Sequence, residues 1–314
     1  MSSPHLRQSI NAALFLGPAI VLLLCFFVAP ILLDLLIAFS DMERTIEFNG
    51  FTTEQFSKMV RPDDDAVLGY SFRGSFSRAL GLTAIFVFFT LAVFNVGLGL
   101  FLALTTTALP EGQGAFFRAV WLLPRMSPSV VYALLWLWVT DPSDTGLLNQ
   151  ILVYGFGVSP VNLRLDSPML LIILANGFIG ASLGMVILTS AIRTIPEHLF
   201  YAARADGAGS MSIVRHIVLP ALRWPLSYIT VYQALALLVS FEYIFLLVGP
   251  VRKTMTLAML AYTKSLAPGI GAGQYAYGAA ISLILIVIGI VTALVMWRFT
   301  NMKSLLAQPK IEVH

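Results

Sequence analysis

Residues 169–192 read MLLIILANGFIGASLGMVILTSAI, a run of 24 residues without a charged side chain. A helix rises about 1.5 Å per residue, so this run is long enough to cross the roughly 30 Å hydrocarbon core of a bilayer. Glycine, serine and amide residues are interspersed among the large apolar ones, as in membrane helices that pack against other helices. The run therefore predicts a buried membrane-spanning helix.

The composition of the whole chain also indicates a membrane protein. Of its 314 residues, 58% are hydrophobic and only 11% are charged, with a mean hydropathy of +0.85. Soluble domains carry about 25% charged residues, so disorder, a disulfide scaffold and an ordinary cytosolic enzyme are excluded. The single Cys25 cannot form an internal disulfide or supply a metal cluster. The net charge of +3 comes from scattered basic residues, which predicts no nucleic-acid partner.

Six apolar stretches reach the length that a spanning helix needs, namely 11–39, 79–104, 119–139, 169–192, 225–248 and 275–297. The fold class is therefore an all-α integral membrane protein with six spans and both termini on one side. The first stretch is too long for the apolar region of a signal peptide and is expected to be retained. Kinks are expected in it at Pro18 and Pro30.

The loops do not by themselves establish the orientation. With cytoplasmic termini, nine Lys or Arg residues lie inside and nine outside, so the positive-inside rule gives no answer. The loop 41–77 is long and polar; within it, 52–60 is predicted to form a short amphipathic helix, and Asp63, Asp64 and Asp65 form a solvated acidic cluster.

The loop 193–224, between the fourth and fifth stretches, carries signals for two short helices. Pro196 is suited to a helix start, the pair Ala202-Ala203 to a helix interior, and Gly207 to a helix end, while Pro220 begins the next element. Alanine permits close approach of a partner. The loop therefore has the character of a docking surface.

These residues resemble a known family. Ala202-Ala203, Gly207 and Leu219-Pro220 match the cytoplasmic loop of binding-protein-dependent ABC importer permeases. Across most of the chain, Leu122-Leu-Pro124, Gly146-Leu-Leu-Asn149 and the segment from Phe241 to Pro250 are similar to the carbohydrate branch, of the maltose and glycerol-phosphate type. The Gly-Leu-Leu-Asn segment is more like the first of two paired permeases.

The resemblance implies that the loop docks on an ATPase subunit and that both termini are cytoplasmic. The residues that it assigns to ATPase coupling are Glu197, Tyr201, Ala202, Ala203, Arg204, Asp206, Gly207, Leu219 and Pro220. One departure is Tyr201, which stands where family members usually have Glu. Glu197, one helical turn earlier, is the nearest carboxylate that could replace it.

The resemblance also implies the organisation and the partners of the chain. An N-terminal helix and periplasmic segment (1–78) precede a core permease domain (79–298, with the coupling loop 193–224) and a cytoplasmic tail (299–314). The expected partners in the bacterial inner membrane are a second, homologous permease, two ATPase subunits and a periplasmic binding protein that contacts the outer loops. No cofactor or metal is expected on this chain, whereas ATP and Mg²⁺ are expected in the ATPase subunits. The expected substrate is a sugar, polyol or glycerol derivative.

Polar residues on the fourth and fifth spans are the candidates for a substrate pathway, because in the family these helices line it. The set is Asn176, Gly180, Ser182, Gln233, Leu237, Ser240 and Glu242. Gln233, Leu237 and Ser240 share one helix face by their spacing. The alternative for these small and amide residues is helix-to-helix packing, for which Gly180 and Gly184 have the typical spacing. Asp34, also in an apolar stretch, is expected to reach the membrane interface.

Two other function classes, a membrane-embedded enzyme and a secondary transporter, have less support in the sequence. The segment from Gly180 to Gly184 matches the G-x-S-x-G pattern of serine hydrolases, but every histidine lies in a predicted loop or terminus, so no catalytic base is near. No phosphate-binding loop is present, which makes the chain a transport subunit without an ATPase site. An ion-gradient-driven secondary transporter would favour mid-membrane carboxylates and an inverted repeat, and neither is evident.

Overall fold

The computed structural model describes residues 4–42, 47–60, 72–143, 145–266 and 273–299. All regular elements in these ranges are helices, which confirms an all-α fold, and one isolated bridge joins Ser40 to Phe51. The chain divides into two compact units, which are described separately. The first comprises the described parts of Met1–Phe76 with Leu260–Ile284, and the second those of Ser77–Met259 with Leu285–His314.

The first unit begins with a long apolar helix. It consists of α1 (Pro4–Leu23), a π-helical turn (Leu24–Val28) and α2 (Ala29–Ala38). Pro18 lies within α1, and the π turn comes immediately before Pro30. A π turn is one way in which a helix accommodates the missing N–H of proline. The helix is thus locally widened just before Pro30, and a kink at Pro18 or Pro30 stays a prediction.

A short helix follows in the same unit. Helix α3 (Glu54–Val60) confirms the predicted amphipathic segment and buries Gln55 and Met59. Phe56 packs on Phe39, with ring centroids 5.0 Å apart. The acidic cluster at 63–65 lies outside the described residues.

The second predicted span is longer than 79–104. Helix α4 (Phe72–Phe89), a π-helical segment (Thr90–Leu98) and α5 (Gly99–Ala108) follow one another without a break. The apolar part of this helix covers Ser75–Ala108, or 34 residues.

The third predicted span is divided. Helices α6 (Glu111–Met126) and α7 (Ser129–Val139) meet at an angle of 104°. Pro128 lacks an N–H and disfavours the helical conformation of the residue before it. Ser127 is accordingly extended, with φ −78° and ψ 146°. The expectation of one continuous helix over 119–139 was wrong at this point, although the bent pair can still form a single span.

The loop after α7 is held together by the Gly-Leu-Leu-Asn segment, residues 146–149. It contains α8 (Leu147–Gln150), a π turn (Ile151–Gly155) and α9 (Leu163–Asp166). The buried Asn149 amide donates to the carbonyls of Asp141 (3.0 Å) and Val161 (3.1 Å), and its oxygen accepts from the Val161 N–H. A Cβ at Gly146 would lie 2.1 Å from the Asp141 carbonyl oxygen. Both motif residues therefore have a structural role.

Helix α10 (Pro168–Arg193) forms the centre of the second unit and confirms the span predicted at 169–192. It packs along α5 and the preceding π segment through Gly177, Gly180 and Gly184. A Cβ at Gly184 would lie 2.4 Å from the carbonyl oxygen of Asn95. The backbones approach each other so closely that glycine is required there.

The coupling loop and the fifth span follow α10. The loop comprises α11 (Glu197–Ala205), α12 (Ser210–Ile213), a π turn (Val214–Val218) and α13 (Leu219–Ala221). Helix α14 (Arg223–Leu238) then stops, and α15 (Glu242–Leu247) begins after a break. The expectation of one helix over 225–248 was therefore wrong at 239–241. Helices α16 (Leu257–Ser265) and α17 (Tyr275–Phe299) complete the described chain.

Four helices among the described residues are long and apolar enough to cross a membrane, and the bent pair α6–α7 would make a fifth. They are Leu14–Ala38, Ser75–Ala108, Pro168–Arg193 and Tyr275–Val295. Helix α14 has only 16 residues before its break, which is short of a full crossing. The protein is a helical membrane protein with four or five candidate spans.

Candidate coupling and translocation sites

The first helix of the coupling loop is defined at both ends by local chemistry. Pro196 precedes α11, with Glu197 in the first turn, where a carboxylate favours the positive end of the helix dipole. At the other end Gly207 has φ +80°. The N–H of Gly207 donates to the Arg204 carbonyl (3.0 Å) and that of Ala208 to the Ala203 carbonyl (2.9 Å). This is the glycine-terminated helix end that the sequence predicts.

The coupling loop is anchored to the spans by a hydrophobic cluster. Phe200 of α11 packs against a buried cluster that includes Ile192, at the end of α10, and Leu222, just before α14. The other loop residues in or against this cluster are Ile195, Ile213, Ile217 and Val218. The two short helices therefore rest on a base that joins the ends of α10 and α14.

The outer surface of α11 is open. Six of the proposed coupling residues are exposed on or just beyond this helix: Glu197, Tyr201, Ala202, Arg204, Asp206 and Gly207. Ala203 and Leu219 are half-buried, and Pro220 is exposed. The nine residues thus lie on the one loop 193–224, and most of them are accessible to a partner.

Tyr201 lies over a cavity of about 630 Å³ between α11 and the end of α5. Glu197, Arg204, Leu104 and Thr107 also border this cavity. Beside it, Arg193 at the end of α10 lies 3.8 Å from Glu111 at the start of α6. Tyr201 therefore presents an aromatic ring, 63% exposed, on the surface of the loop.

Two of the seven pathway candidates take part in a buried polar contact between three helices. The Gln233 amide group donates to the Gly180 carbonyl (3.2 Å), and its oxygen accepts from the Asn95 amide (2.9 Å). Asn95 is 1% exposed and Gln233 is 5% exposed. Sequence reasoning missed Asn95, although an amide inside the apolar stretch 79–104 is a usable signal.

Most of the other pathway candidates are also enclosed. The Ser182 hydroxyl donates to the Ile179 carbonyl (2.6 Å), and Leu237 is buried. The Asn176 amide nitrogen is buried without a hydrogen-bond partner. Ser240 is half-buried in the break between α14 and α15. A role for these residues in solute passage remains a prediction, since the contacts they make are those of helix packing.

Glu242 differs from the other candidates because it is exposed. It is the first residue of α15, and its carboxylate accepts a hydrogen bond from Ser129, the first residue of α7. The neighbouring Tyr243 ring packs edge-on against Tyr132, with 5.7 Å between ring centroids. The Tyr132 hydroxyl donates to the Ala175 carbonyl of α10 (2.8 Å). The segments that follow the two helix breaks thus meet on α10.

An aromatic surface that sequence reasoning missed lies beside these breaks. Phe178 of α10 contacts Trp121 of α6, Trp136 of α7 and Phe94, with ring centroids 5.7 to 5.8 Å apart. Trp121 is stacked on it at 23°. The exposed Arg125 lies close by, its guanidinium 3.5 Å from the Ile179 carbonyl. These rings come from α6, α7, α10 and the π segment before α5, a grouping that hydropathy alone does not encode.

Among the described residues, no group of three or more His, Cys, Asp or Glu side chains is arranged to hold a metal ion. Ser182, the centre of the G-x-S-x-G match, uses its hydroxyl within α10. The features available for chemistry are therefore hydrogen-bonding and aromatic surfaces.

Comparisons with known proteins agree with this arrangement. The family model described as "Binding-protein-dependent transport system inner membrane component" matches residues 66–300. A probable ABC transporter permease protein of Pyrococcus horikoshii is 30% identical over 292 residues, covering 90% of this chain and 92% of that protein. The galactooligosaccharides transport system permease protein of Bacillus subtilis is 26% identical over 302 residues, covering 92% of this chain and 69% of that protein.

A solved structure shares the fold. The crystal structure of a bacterial ABC transporter involved in the import of the acidic polysaccharide alginate superposes with a TM-score of 0.78 at 21% identity, covering 95% of this chain and 98% of the matched chain. Because the family model matches most of the sequence, the chain belongs to the inner-membrane permeases of binding-protein-dependent ABC transporters. It is a multi-pass transport subunit without ATPase activity of its own.

Proposed function

We propose that this permease is one half of a heterodimeric pore that imports a sugar, polyol or glycerol derivative, driven by ATP hydrolysis in separate subunits. The observation that carries the proposal is the anchored loop: an exposed helix, α11, whose Phe200 packs against the same cluster as the ends of α10 and α14. One of two ATPase subunits, which hold ATP and Mg²⁺, would dock there, and the other would dock on the second permease. A periplasmic binding protein would deliver the solute.

The proposal includes a topology of six spans with both termini in the cytoplasm. This count treats the bent pair α6–α7 as one crossing and the broken pair α14–α15 as another. Non-helical backbone inside a membrane is tolerated where protein or a water-filled path surrounds it. The helices that follow the two breaks, α7 and α15, both pack in one cluster with Ala175 of α10. Residues 1–78 would then form the N-terminal helix and periplasmic segment, 79–298 the core, and 299–314 a cytoplasmic tail.

Force would pass from α11 to the spans through packed side chains. Ile192 and Leu222 are buried in the same cluster as Phe200 and belong to the residues that join the loop to α10 and α14. Packed interiors transmit displacement because they are nearly incompressible. A movement of α11 with the ATPase subunits would therefore move the ends of both helices.

The exposed and half-buried groups near the helix breaks are suited to a carbohydrate. Sugars are recognised by a few polar groups set beside aromatic surface. Glu242, Ser129 and Arg125 supply the polar groups, and Trp121 and Phe178 supply the rings. The galactooligosaccharide permease among the relatives supports the same substrate class. The buried Asn176, Gly180, Ser182, Gln233 and Leu237 would form the wall behind this surface, with Ser240 at its edge.

The test uses two glycines in the coupling loop. Gly207 has φ +80° and Gly209 has φ −71°, and a Cβ at either position would meet nothing within 4 Å. Gly207→Arg forces a side chain into the left-handed region at a cost of about 1–2 kcal/mol, and it places a bulky cation at the end of α11. Gly209→Arg adds the same charge without the backbone cost and serves as the matched control.

The variants would be reconstituted in proteoliposomes with the second permease, the ATPase subunits and the binding protein. We expect Gly207→Arg to abolish co-purification of the ATPase and its stimulation by loaded binding protein, with Gly209→Arg retaining most of both. Unchanged association and transport in Gly207→Arg would refute docking at α11. Uptake by this chain alone on a proton or sodium gradient would instead establish a secondary transporter.

A further inference from the structure

The chain turns back on itself immediately after the first apolar helix. Beyond Ala38, Ser40 pairs with Phe51 in an antiparallel bridge, and the Thr52 N–H donates to the Phe39 carbonyl (2.8 Å). Phe51 therefore lies level with the end of the span. In a membrane, that level is the boundary between hydrocarbon and headgroups.

A carboxylate holds this turn in place. Asp41 accepts the N–H groups of Asn49 (3.1 Å) and Gly50 (3.2 Å). The hydrogen bond from the Asn49 backbone is the largest cause that lowers the pKa of Asp41 below its usual value. Asp41 thus ties the returning segment to the end of the helix in its ionised form.

Two phenylalanines on the returning segment face outwards. Phe48 and Phe51 contact each other edge-on, with ring centroids 5.0 Å apart, and are 50% and 71% exposed. Phe56, five residues after Phe51 and within α3, packs inwards on Phe39. The segment therefore uses one aromatic ring for its own packing and leaves a pair uncovered.

A groove of about 590 Å³ lies between the same segment and the helix. Its walls are Leu35, Leu36 and Phe39 on one side and Phe51, Thr52 and Thr53 on the other. Leu36 belongs to the 25-residue apolar stretch Leu14–Ala38, whose most apolar window contains no buried residue. The groove is thus a direct continuation of an apolar helix surface that this chain itself leaves uncovered and that lipid can cover in a membrane protein.

We propose that residues 47–53 form a lipid-binding interface anchor, in which Phe48 and Phe51 insert at headgroup level and a phospholipid occupies the groove beside Leu35 and Leu36. Aromatic side chains are favoured at this depth. Continuity with the lipid-facing helix selects lipid over a protein partner. This part of the loop after the first span is then a membrane contact and not a docking surface for the binding protein.

Site-directed spin labelling tests the proposal in the whole complex in phospholipid nanodiscs. In a Cys25→Ser background, nitroxides are placed by Phe48→Cys and Phe51→Cys, with Leu33→Cys as the lipid reference and Glu54→Cys as the aqueous reference. Collision with oxygen and with a water-soluble nickel chelate is compared. At Phe48 and Phe51 we expect an oxygen-to-nickel ratio several-fold above that at Glu54, approaching that at Leu33.

Three results would overturn the anchor. A ratio equal to that at Glu54 would place the pair in water, exclusion of both reagents would place it against protein, and protection only after adding loaded binding protein would make it a docking surface. Should a label disturb the turn, Phe48→Trp and Phe51→Trp preserve the aromatic character. Each must then gain fluorescence quenching by brominated lipid over the parent, unlike Glu54→Trp, and no gain would also refute the proposal.

Discussion

The apolar helix Leu14–Ala38 and the central helix α10 pass the same test for a membrane span, yet their surroundings are opposite. The first is the more apolar of the two, and its most apolar 18 residues include no buried one. In α10, 61% of the corresponding residues are buried. A Cβ at Gly17 of the first helix would meet nothing within 4 Å, while one at Gly184 of α10 would overlap backbone. Hydropathy therefore predicts that a helix is in the membrane, and small residues and amides predict what it touches there.

The largest expected effect comes from filling the closest contact of α10. Gly184→Leu would place its Cβ 2.4 Å from the Asn95 carbonyl oxygen and separate α10 from α5. We expect a loss of about 3 kcal/mol in the free energy of unfolding, measured by detergent titration in mixed micelles, because overpacking forces the backbones apart. Gly17→Leu, which adds the same side chain to the lipid-facing helix, should be neutral. Equal effects of the two would remove the distinction between the helices.

Removing a large aromatic ring should give the next largest effect. Phe178 packs on three rings, whereas Phe15 in the first helix is 88% exposed. Phe178→Ala should lower the free energy of unfolding by about 2 kcal/mol, and Phe15→Ala should change it by less than about 0.5 kcal/mol. Phe178→Ala should also reduce transport. A comparable loss in Phe15→Ala would mean that the first helix is covered by protein in the assembled complex.

A smaller effect is expected from the buried amide contact. Gln233→Leu leaves the Asn95 amide without its 2.9 Å partner, which should cost about 1 kcal/mol. Combining it with Asn95→Leu in a double-mutant cycle should give a coupling free energy of about 0.6 kcal/mol, typical of hydrogen bonds between membrane helices. Strictly additive effects would show that the amides do not stabilise each other.

The smallest effect concerns Asp41, just beyond the end of the first helix. Because the folded-state pKa of Asp41 is lowered by the Asn49 and Gly50 N–H groups, its stabilisation of the turn is present above the ordinary carboxyl pKa of about 3.9. That stabilisation is lost as the pH falls through the lowered folded-state pKa. A nitroxide introduced by Phe51→Cys should become more mobile in acid, and adding Asp41→Asn should abolish this dependence on pH. Acid mobility that persists with Asp41→Asn would assign it to another group.

The parts of the fold that follow from short-range chemistry could be predicted from the sequence. Pro196 and Gly207 delimit α11 through local backbone preferences, and uninterrupted apolar runs predict α10 and α17. The bend at Ser127 can also be predicted from the sequence, because Pro128 disfavours a helical conformation of the residue before it. A hydropathy average over 119–139 obscured that signal.

Other features depend on contacts between distant residues. The break at Val239, Ser240 and Phe241 contains neither proline nor glycine, and no local rule predicts it. The stacking of Trp121 on Phe178 joins residues 57 positions apart on two different helices, α6 and α10. Asn95 joins the site through a hydrogen bond to a residue 138 positions later. Such groupings require the packed helices and not the sequence pattern alone.

Helix α10 runs unbroken past the ends of two interrupted neighbours, α6–α7 and α14–α15. Its contacts with α5 and α14 are fixed by glycine packing and by the Gln233 amide, whereas α7 and α15 are held by Tyr132, Leu247 and the Ser129–Glu242 bond. The chain therefore has two breaks, at 127–128 and 239–241, beside one continuous helix. In the proposed importer, a rotation at these two breaks would move α7 and α15 while every hydrogen bond of the Asn95–Gln233–Gly180 set stays closed.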